Sequence, residues 1–358
     1  LTASSRTALE REVLPGYLAR RRWVEGYRPD QSPVVQIHYA APIPGGNELF
    51  IAEVSVTAPA DGRGDQQAAP APAPGDEPRY QLPVTILWDE EDSTGGLPQQ
   101  LALARVRRGA RIGLLTDAFT LERFARAIVK AMRAQARVPS PDGLLGFQGY
   151  PGIEDLQLDE APIRWFSLEK PNGTLWIEGA GVLTLFRRVL AGVNPEAEMS
   201  HFLSYHGYQN ASTLLGEVVR RDAAGTPHTL MLLQRAISNE GDGWNWVLNA
   251  LARTLDDAAL TGSSDTEFRE QLEAAETIMA AIGRRLAELH ALLAAPAEPP
   301  YARSYAPPYD PAAFTPRTVG HERIDAWAET TRDRLERALR AIERTADWRS
   351  ETAQEAAR

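Results

Sequence analysis

Residues 169–188, EKPNGTLWIEGAGVLTLFRR, decide the expected fold of the middle of this chain. Segments rich in β-branched and aromatic residues at 163–168, 174–177 and 182–186 predict strands. Between the first two lies Pro171-Asn172-Gly173, and these three residue types are typical of turns. The pattern therefore predicts a strand, a tight turn and a second strand, after which a further strand follows.

A helix is expected after these strands. Asn194 is a favoured N-cap residue, and Pro195 suits the first helical position because its missing N–H would be unpaired there anyway. The predicted helix covers Pro195–Tyr205. Glu196 and Glu198 fall in its first turn, where the helix dipole favours acidic side chains.

The composition excludes several classes of function. The chain has 358 residues, of which 43% are hydrophobic and 24% charged, as in ordinary globular domains. It contains no cysteine, which excludes disulfides and thiolate metal ligands, and a reducing cytoplasm is the expected setting. A formal net charge of −10 argues against nucleic-acid binding, which needs a basic surface. No apolar run approaches the roughly 18 residues typical of a membrane span, and we expect neither a membrane partner nor a signal peptide.

Several segments resemble the bacterial maltokinases, which are ATP-dependent sugar kinases of the aminoglycoside-phosphotransferase-like group, often fused behind a trehalose synthase. The most specific segments are LFRRVLAGVNPEAEMSHFL at 185–203, TLLGEV at 213–218, LMLLQRAISNEGDGWNWVL at 230–248 and IGRRLAELHALL at 282–293. Two further segments resemble the N-terminal cap of the family: LPGYLARRRW at 14–23 and LARVRRGARIGLLTDAF at 103–119.

The resemblance implies an α+β, protein-kinase-like fold in three parts. Residues 1–138 correspond to the cap, with an Ala, Pro, Gly and Asp-rich insertion at about 58–79 whose composition predicts flexibility. Residues 139–237 correspond to a kinase-like N-lobe, or intermediate subdomain, with a mixed or antiparallel sheet. Residues 238–358 correspond to a truncated, helical C-lobe. Helical spacing of apolar residues predicts its helices from Trp244, over Asp265–Ala294 and over 320–347.

The resemblance also implies a nucleotide site with seven candidate residues. They are Asn172, Gly173, Thr174, Thr184, Glu198, Gln234 and Ala236. Backbone N–H groups of the turn at 170–174 can cradle phosphates, with Asn172 and Thr174 as additional donors. A hairpin turn without a ligand is the alternative for the same residues. Gln234 and Ala236 belong to the strand that leads into the hinge between the lobes.

Charge distinguishes this chain from the family. The family has a strand lysine, which pairs with ATP phosphates, where this chain has Thr184, and a hydroxyl cannot supply that charge. Glu198 therefore lacks the partner that a helix glutamate has in kinase folds, and a surface or capping carboxylate is the alternative for it. Arg187 and Arg188 are expected either to contact a phosphate or an acidic surface, or to alternate in exposure at a strand end.

No catalytic or metal-binding residue is assigned in this chain. The family's catalytic loop, His-Gly-Asp-x-His-x-x-Gln, and its metal-binding Asp-Phe-Glu do not occur in the sequence. The six histidines lack the spacing of a metal site, since even His201 and His206 point in different directions on a helix. We therefore expect an incomplete, inactive portion of a kinase whose intact parent uses ATP and Mg²⁺.

Two functions from different classes remain open. In the first, the parent transfers the γ-phosphate of ATP to maltose and yields maltose 1-phosphate for the route from trehalose to glycogen and related α-glucans, with trehalose synthase as fused or associated partner. In the second, the chain is a pseudokinase that acts as a scaffold or regulatory module for trehalose synthase, and Thr184 favours this alternative. Kinase activity toward another sugar or an aminoglycoside also stays open.

Overall fold

The computed structural model describes most of the chain. The described ranges are 2–24, 33–57, 77–88, 101–141, 143–159, 161–166, 170–239, 241–261, 265–294 and 309–345. The part of the predicted insertion from 58 to 76 lies outside them. Contacts divide the chain into one unit of Leu1–Arg285 with Ala297–Tyr309, and a second of Leu286–Pro296 with Asp310–Arg358.

The described residues form thirteen strands, seven α-helices and three short turns of other helix types. The strands are β1 (Val34–Pro42), β2 (Leu49–Thr57), β3 (Arg79–Trp88), β4 (Ala102–Arg108), β5 (Arg111–Asp117), β6 (Arg137–Ser140), β7 (Gly143–Gly149), β8 (Ile163–Phe166), β9 (Asn172–Ile177), β10 (Gly181–Phe186), β11 (Arg188–Val189), β12 (Leu214–Asp222) and β13 (Pro227–Arg235). The helices are α1 (Ala3–Ala8), α2 (Leu14–Leu18), α3 (Glu122–Arg133), α4 (Pro195–Tyr205), α5 (Gly243–Thr261), α6 (Asp265–Ala294) and α7 (His321–Thr345). Short turns of π-helix and 3-10 helix occur at Leu9–Val13, Ala118–Thr120 and Pro311–Phe314.

Two antiparallel sheets form the first unit. In the described residues the first sheet has six strands in the order β1-β2-β3-β5-β4, with β11 paired to β3. The second sheet has seven described strands in the order β6-β7-β12-β13-β10-β9-β8. The three-part division predicted at 138 and 237 stays a prediction, and the second sheet begins at Arg137, close to the first of these boundaries.

Several local predictions are confirmed. The three strands expected around residues 163–186 are β8, β9 and β10, and α4 has the predicted bounds. Asn194 is its N-cap, because the Asn194 side-chain oxygen accepts from the backbone N–H of Glu196 at 2.9 Å and of Ala197 at 3.1 Å. The helices predicted in the C-terminal part are α5, α6 and α7.

The predicted turn at 171–173 is wrong for two of its residues. Asn172 and Gly173 lie in β9, paired with Phe186 and Leu185 of β10. The tight turn between β9 and β10 is at residues 178–180, where Gly179 has a φ of +68°. Residues that favour turns in isolation are extended here because β10 offers them backbone partners over its full length.

The larger core lies between the second sheet and α3. Phe124, Ile128 and Met132 recur every four residues on one face of α3 and are completely buried. They belong to one apolar cluster with Leu183 and Leu185 of β10. Each such side chain contributes about 1.5–3 kcal/mol by leaving water. A second cluster, beside the first sheet, joins α2 to β1, β2 and β3.

A buried ion pair marks the place where the chain passes from one sheet to the other. Arg187, between β10 and β11, is 2% exposed, and its Nη2 donates to Asp117 Oδ2 at 2.8 Å. The Tyr17 hydroxyl donates to the same oxygen at 3.1 Å, and the Phe119 N–H donates to Oδ1 at 2.9 Å. Burial raises the pKa of Tyr17, so its hydroxyl keeps the proton that it donates. Arg187 thus contacts a buried carboxylate, while Arg188 is exposed.

A second set of buried polar groups connects the sheets nearby. Glu53 of the first sheet accepts from Arg220 Nε of the second sheet at 3.0 Å, and from Arg79 Nη1 at 3.0 Å. Gln81 Nε2 donates to the carbonyl oxygens of Phe186 and Leu230 at 2.7 and 2.6 Å. Because these hydrogen bonds have defined lengths and directions, they fix how the first sheet meets the second.

Removing the carboxylate of the buried pair should destabilise the first unit strongly. Asp117→Ala leaves the Arg187 guanidinium buried without its partner, and we expect the free energy of unfolding to fall by about 3–5 kcal/mol. Urea unfolding followed by circular dichroism measures this loss. Replacing both partners, Asp117→Leu with Arg187→Met, should cost less than Asp117→Ala, because no charge is then left unpaired.

The control for this prediction is an exposed ion pair of the second sheet. Arg164 and Glu178 lie 3.2 Å apart with side chains 70% and 50% exposed. Glu178→Ala should therefore change the unfolding free energy by at most about 1 kcal/mol. Equal losses for Asp117→Ala and Glu178→Ala would contradict the structural role of the buried pair.

Candidate functional site

One face of the second sheet carries a half-exposed strip of side chains. The strip consists of Thr174 and Trp176 of β9 and Val182 and Thr184 of β10, and it is called the open strip below. Thr174 lies opposite Thr184, and Trp176 lies opposite Val182. Successive strand residues point to opposite faces, so the residues between these four are buried in the large core.

The open strip combines apolar and polar side chains. At one end, Trp176 and Val182 offer an aromatic ring and a branched aliphatic side chain. At the other end, Thr174 and Thr184 offer two hydroxyl groups. A planar ring system with polar substituents is the kind of ligand that such a surface suits, since ligand sites are mainly apolar with a few placed polar groups. Sequence analysis missed Trp176 and Val182, although their period-two spacing from the two threonines was a signal for both.

Gln234 and Ala236, which were predicted on the strand that leads into the hinge, lie beside the open strip. Gln234 lies opposite Val182, and therefore on the same face of the sheet. Its Nε2 lies 3.2 Å from Ser200 Oγ of α4. The backbone N–H of Ala236 donates to the carbonyl oxygen of Ala180 at 3.3 Å. The structure thus brings Thr174, Thr184 and Gln234 to one face, with Ala236 just beyond its end.

Asn172 and Gly173 occupy the other end of β9. Asn172 is exposed, and Gly173 is buried. A Cβ atom on Gly173 would lie 2.5 Å from Cζ of the Phe119 ring, which belongs to the large core. Glycine is therefore required at 173 by the close approach of this ring, on the face opposite to the open strip.

Helix α4 covers the part of this face next to the strip. Its inward side chains contact strands β12 and β13: Ala197 shares a buried cluster with Leu232, and Ser204 Oγ accepts from the Leu214 N–H at 2.8 Å. Glu198 follows Ala197 and points about 100° away around the helix axis. It is half-exposed, and within the described residues its carboxylate forms no ion pair. The role of Glu198 in a nucleotide site stays a prediction.

A buried carboxylate that sequence analysis missed lies on the same face. Glu217 of β12 is opposite Leu232, which is in turn opposite Thr184, so the three form one row across the sheet. Glu217 is 6% exposed and lies 3.0 Å from His201 of α4. The signal was a single glutamate inside the apolar run TLLGEVV, because a charged residue there must find a buried partner.

Lysine is rare in this chain. The sequence has only two lysines, Lys130 and Lys170. Lys170 is exposed and lies just before β9, in the connection from β8. Lys130 lies on α3 with its Nζ 3.6 Å from Asp159 Oδ1. Arg164 of β8 lies opposite Trp176 and pairs with Glu178. The described strip itself contains no charged side chain.

The described residues contain neither a metal-ligand cluster nor a helix that could span a membrane. In the described ranges, no three His, Asp or Glu side chains are grouped closely enough to hold a metal ion. No described helix has the length and apolar character needed to cross a membrane.

Comparisons with known proteins identify the fold. No protein-family model matches the chain. A solved glucosamine kinase in crystal form B is similar with a TM-score of 0.50 and 17% identity, over 100% of this chain and 62% of that chain. Crystal form A has a TM-score of 0.49 and 15% identity, over 100% of this chain and 63% of that chain. A complex with glucosamine, ADP and inorganic phosphate has a TM-score of 0.48 and 14% identity, over 97% of this chain and 63% of that chain. The chain thus spans less than two thirds of the length of these kinases.

The likeness to crystal form B confirms the α+β, kinase-like fold that the sequence predicted. At this level of identity the likeness concerns the fold alone.

The packing role of Gly173 can be tested separately from any ligand. Gly173→Ala places a methyl group against the rigid Phe119 ring, and we expect a loss of about 1–3 kcal/mol in unfolding free energy. Phe119→Leu in the same chain should recover part of this loss because the ring is removed. Thermal and urea unfolding of the variants measure both effects.

Gly146→Ala is the matched control on β7. The nearest atom to its added Cβ is 3.7 Å away, so this strand position has room for a methyl group. We expect a change within about 0.5 kcal/mol for Gly146→Ala. Similar losses in the two alanine variants would show that Phe119 does not restrict position 173.

Proposed function

We propose that this chain is the nucleotide-binding portion of a sugar kinase, and that its parent is a maltokinase-like phosphotransferase. Such a parent transfers the γ-phosphate of ATP to maltose, giving maltose 1-phosphate and ADP. The observation that carries the proposal is the open strip on β9 and β10, with α4 beside it. Kinase folds place the ATP lysine on their third strand and cover the phosphates with a loop between the first two. Here β8, β9 and β10 are the corresponding strands, and Thr184 is on the third.

The strip suggests how ATP would lie on it. The adenine ring would rest on Trp176 and Val182, close to Gln234 and the backbone of Ala236. The phosphates would then extend toward Thr174 and Thr184, whose hydroxyl groups can donate to phosphate oxygens. When bound, Mg²⁺ would neutralise phosphate charge; the described residues contain no cluster of three His, Asp or Glu side chains, and no step is assigned to the ion.

Lys170 supplies the charge that Thr184 lacks. Phosphate binding in kinase folds uses a cationic side chain as a point charge. Lys170 immediately precedes β9, in the connection that corresponds to the phosphate-covering loop. Lys130 lies on α3, which packs on the opposite face of the second sheet. We therefore propose Lys170 as the residue that contacts the phosphates, assisted by the backbone around Asn172.

The alternative is a pseudokinase that binds no nucleotide and serves as a scaffold for trehalose synthase. The observation that favours it is the uncharged open strip, since Thr184 occupies the lysine position. Both alternatives share the cytoplasm as proposed compartment and trehalose synthase as proposed partner. For the parent kinase, glucosamine is the acceptor to compare with maltose, because the similar solved proteins are glucosamine kinases.

Nucleotide binding is the first property to measure. Calorimetric titration of the chain with ATP and Mg²⁺ should show binding, and Thr184→Lys should tighten it by about tenfold through one added charged contact. Thr226→Lys is the matched control, because it adds the same charge in the β12–β13 turn, outside the strip. Binding by Thr184→Lys alone would favour the pseudokinase. If neither the unsubstituted chain nor Thr184→Lys binds ATP, the nucleotide proposal is contradicted.

The role of Lys170 can be tested by selective labelling. An acyl-phosphate derivative of ATP acylates lysines near bound phosphates, and mass spectrometry should find label on Lys170 in preference to Lys130. Excess ATP should prevent this labelling, whereas an acyl phosphate without adenosine should label both lysines. Lys170→Ala should weaken ATP binding by about tenfold, while Lys130→Ala leaves it unchanged. Equal labelling of the two lysines by the ATP derivative would contradict this role.

A further inference from the structure

Among the described residues, three side-chain hydrogen bonds link helix α4 to the second sheet. Ser200 Oγ lies 3.2 Å from Gln234 Nε2, and Ser204 Oγ accepts from the backbone N–H of Leu214. Between them, His201 Nε2 lies 3.0 Å from Glu217 Oε2. The first two bonds are between neutral groups, whose net contribution to stability is modest. The third involves a carboxylate, and such bonds are roughly twice as strong.

Glu217 is bonded through both of its oxygens. The Tyr150 hydroxyl donates to Oε1 at 2.7 Å, and His201 is bonded to Oε2. An ionised carboxylate can only accept, so Nε2 of His201 is the atom that donates to Glu217 when the carboxylate is ionised. The Tyr150 and His201 rings also contact each other edge-to-face, with centroids 5.1 Å apart and planes at 87°. Glu217, His201 and Tyr150 are called the α4 anchor below.

The α4 anchor is buried at its centre. His201 and Glu217 are each 6% exposed, and Tyr150 is half-buried. Among the described residues, His201 is the single basic side chain within ion-pair distance of Glu217. Loss of the imidazole would therefore leave a buried carboxylate with one bond in place of two, which is costly.

The anchor lies next to the open strip. Glu217 is two strands away from Thr184 in the same row, a separation of about 10 Å at the usual strand spacing. In protein kinases a strand lysine and a helix glutamate together hold the corresponding helix in its active position. This chain has Thr184 on the strand, and its Glu198 is half-exposed, with no ion pair among the described residues. Its own ionisable contact has the carboxylate on the strand and the basic group on the helix.

We propose that the α4 anchor positions α4 beside the open strip, in place of a strand lysine and helix glutamate. His201, Glu217 and Tyr150 are thus positioning residues that do not contact nucleotide. The consequence for ATP rests on the proposed function, whereas the attachment of α4 does not. The inference deepens that function by naming the groups that regulate the geometry of the strip.

Hydrogen exchange of the whole chain, read by mass spectrometry, tests the attachment directly. His201→Leu removes the donor to Glu217, and amide exchange in α4 should become at least about tenfold faster. His201→Gln keeps an N–H donor near the position of Nε2 and should restore most of the protection. Exchange in α3, on the other face of the sheet, should stay unchanged in both variants. If His201→Leu only lowered the overall stability, exchange would also become faster in α3, and His201→Gln would not restore protection in α4.

Two further variants complete the experiment. Tyr150→Phe removes the 2.7 Å bond at a half-exposed position, so it is readily tolerated, and it should accelerate exchange in α4 to a smaller degree. His228→Leu is the control, because His228 is also buried and lies 3.3 Å from Asp222, but on strand β13. It should leave α4 unaffected. Unchanged α4 exchange in both His201→Leu and Tyr150→Phe, or equal exchange in the leucine and glutamine variants, would overturn the proposal.

ATP titration of the same variants separates this proposal from the proposed function. If the chain binds ATP, His201→Leu should weaken the affinity by about tenfold and His201→Gln should restore it. If the chain binds no ATP, the proposed function fails, while the exchange of α4 still decides the role of the anchor. Faster α4 exchange with unchanged ATP affinity would overturn the link between the helix and the open strip.

Discussion

The contact between Arg187 and Asp117 is the constraint on which the rest of this structure depends. Arg187 lies where the chain leaves the second sheet and joins the first, and both side chains are almost completely buried. A guanidinium and a carboxylate without water must stay paired, so this crossing has one geometry. The bonds from Gln81 to Phe186 and Leu230 fix the same crossing from the side of the first sheet. One consequence is that β10 presents its alternate residues outward as part of the open strip.

The open strip is the surface on which the proposed nucleotide binding depends. Its four side chains are suited to a planar, polar ligand, yet none of them is charged. Phosphate chemistry needs cations, and the sequence limits the lysines to two. The proposal that Lys170 provides this charge follows from its place before β9, whereas the pseudokinase alternative follows from Thr184. Under these proposals, nucleotide binding by this chain thus depends on one side chain at the edge of the strip.

Helix α4 shows how polar burial positions an element. An apolar contact between Ala197 and Leu232 would allow α4 to slide on the sheet, since hydrophobic packing is not directional. Hydrogen bonds of His201 and Ser204 fix its register, because each has a defined length and direction. The face of α4 that contacts the sheet is therefore set by side chains that form hydrogen bonds with the strands. Glu198 is not one of them.

The sequence by itself determined the local features of this protein. Asn194 and Pro195 specify the start of α4, and β-branched and aromatic residues specify three strands, because these signals act over a few residues. Only the tertiary structure decided that Asn172 and Gly173 are extended, since their partners come from β10. It also decided that Glu217 lies in one row with Thr184 across the second sheet. Such neighbours are set by sheet register between distant segments, and no local pattern of the chain encodes that register.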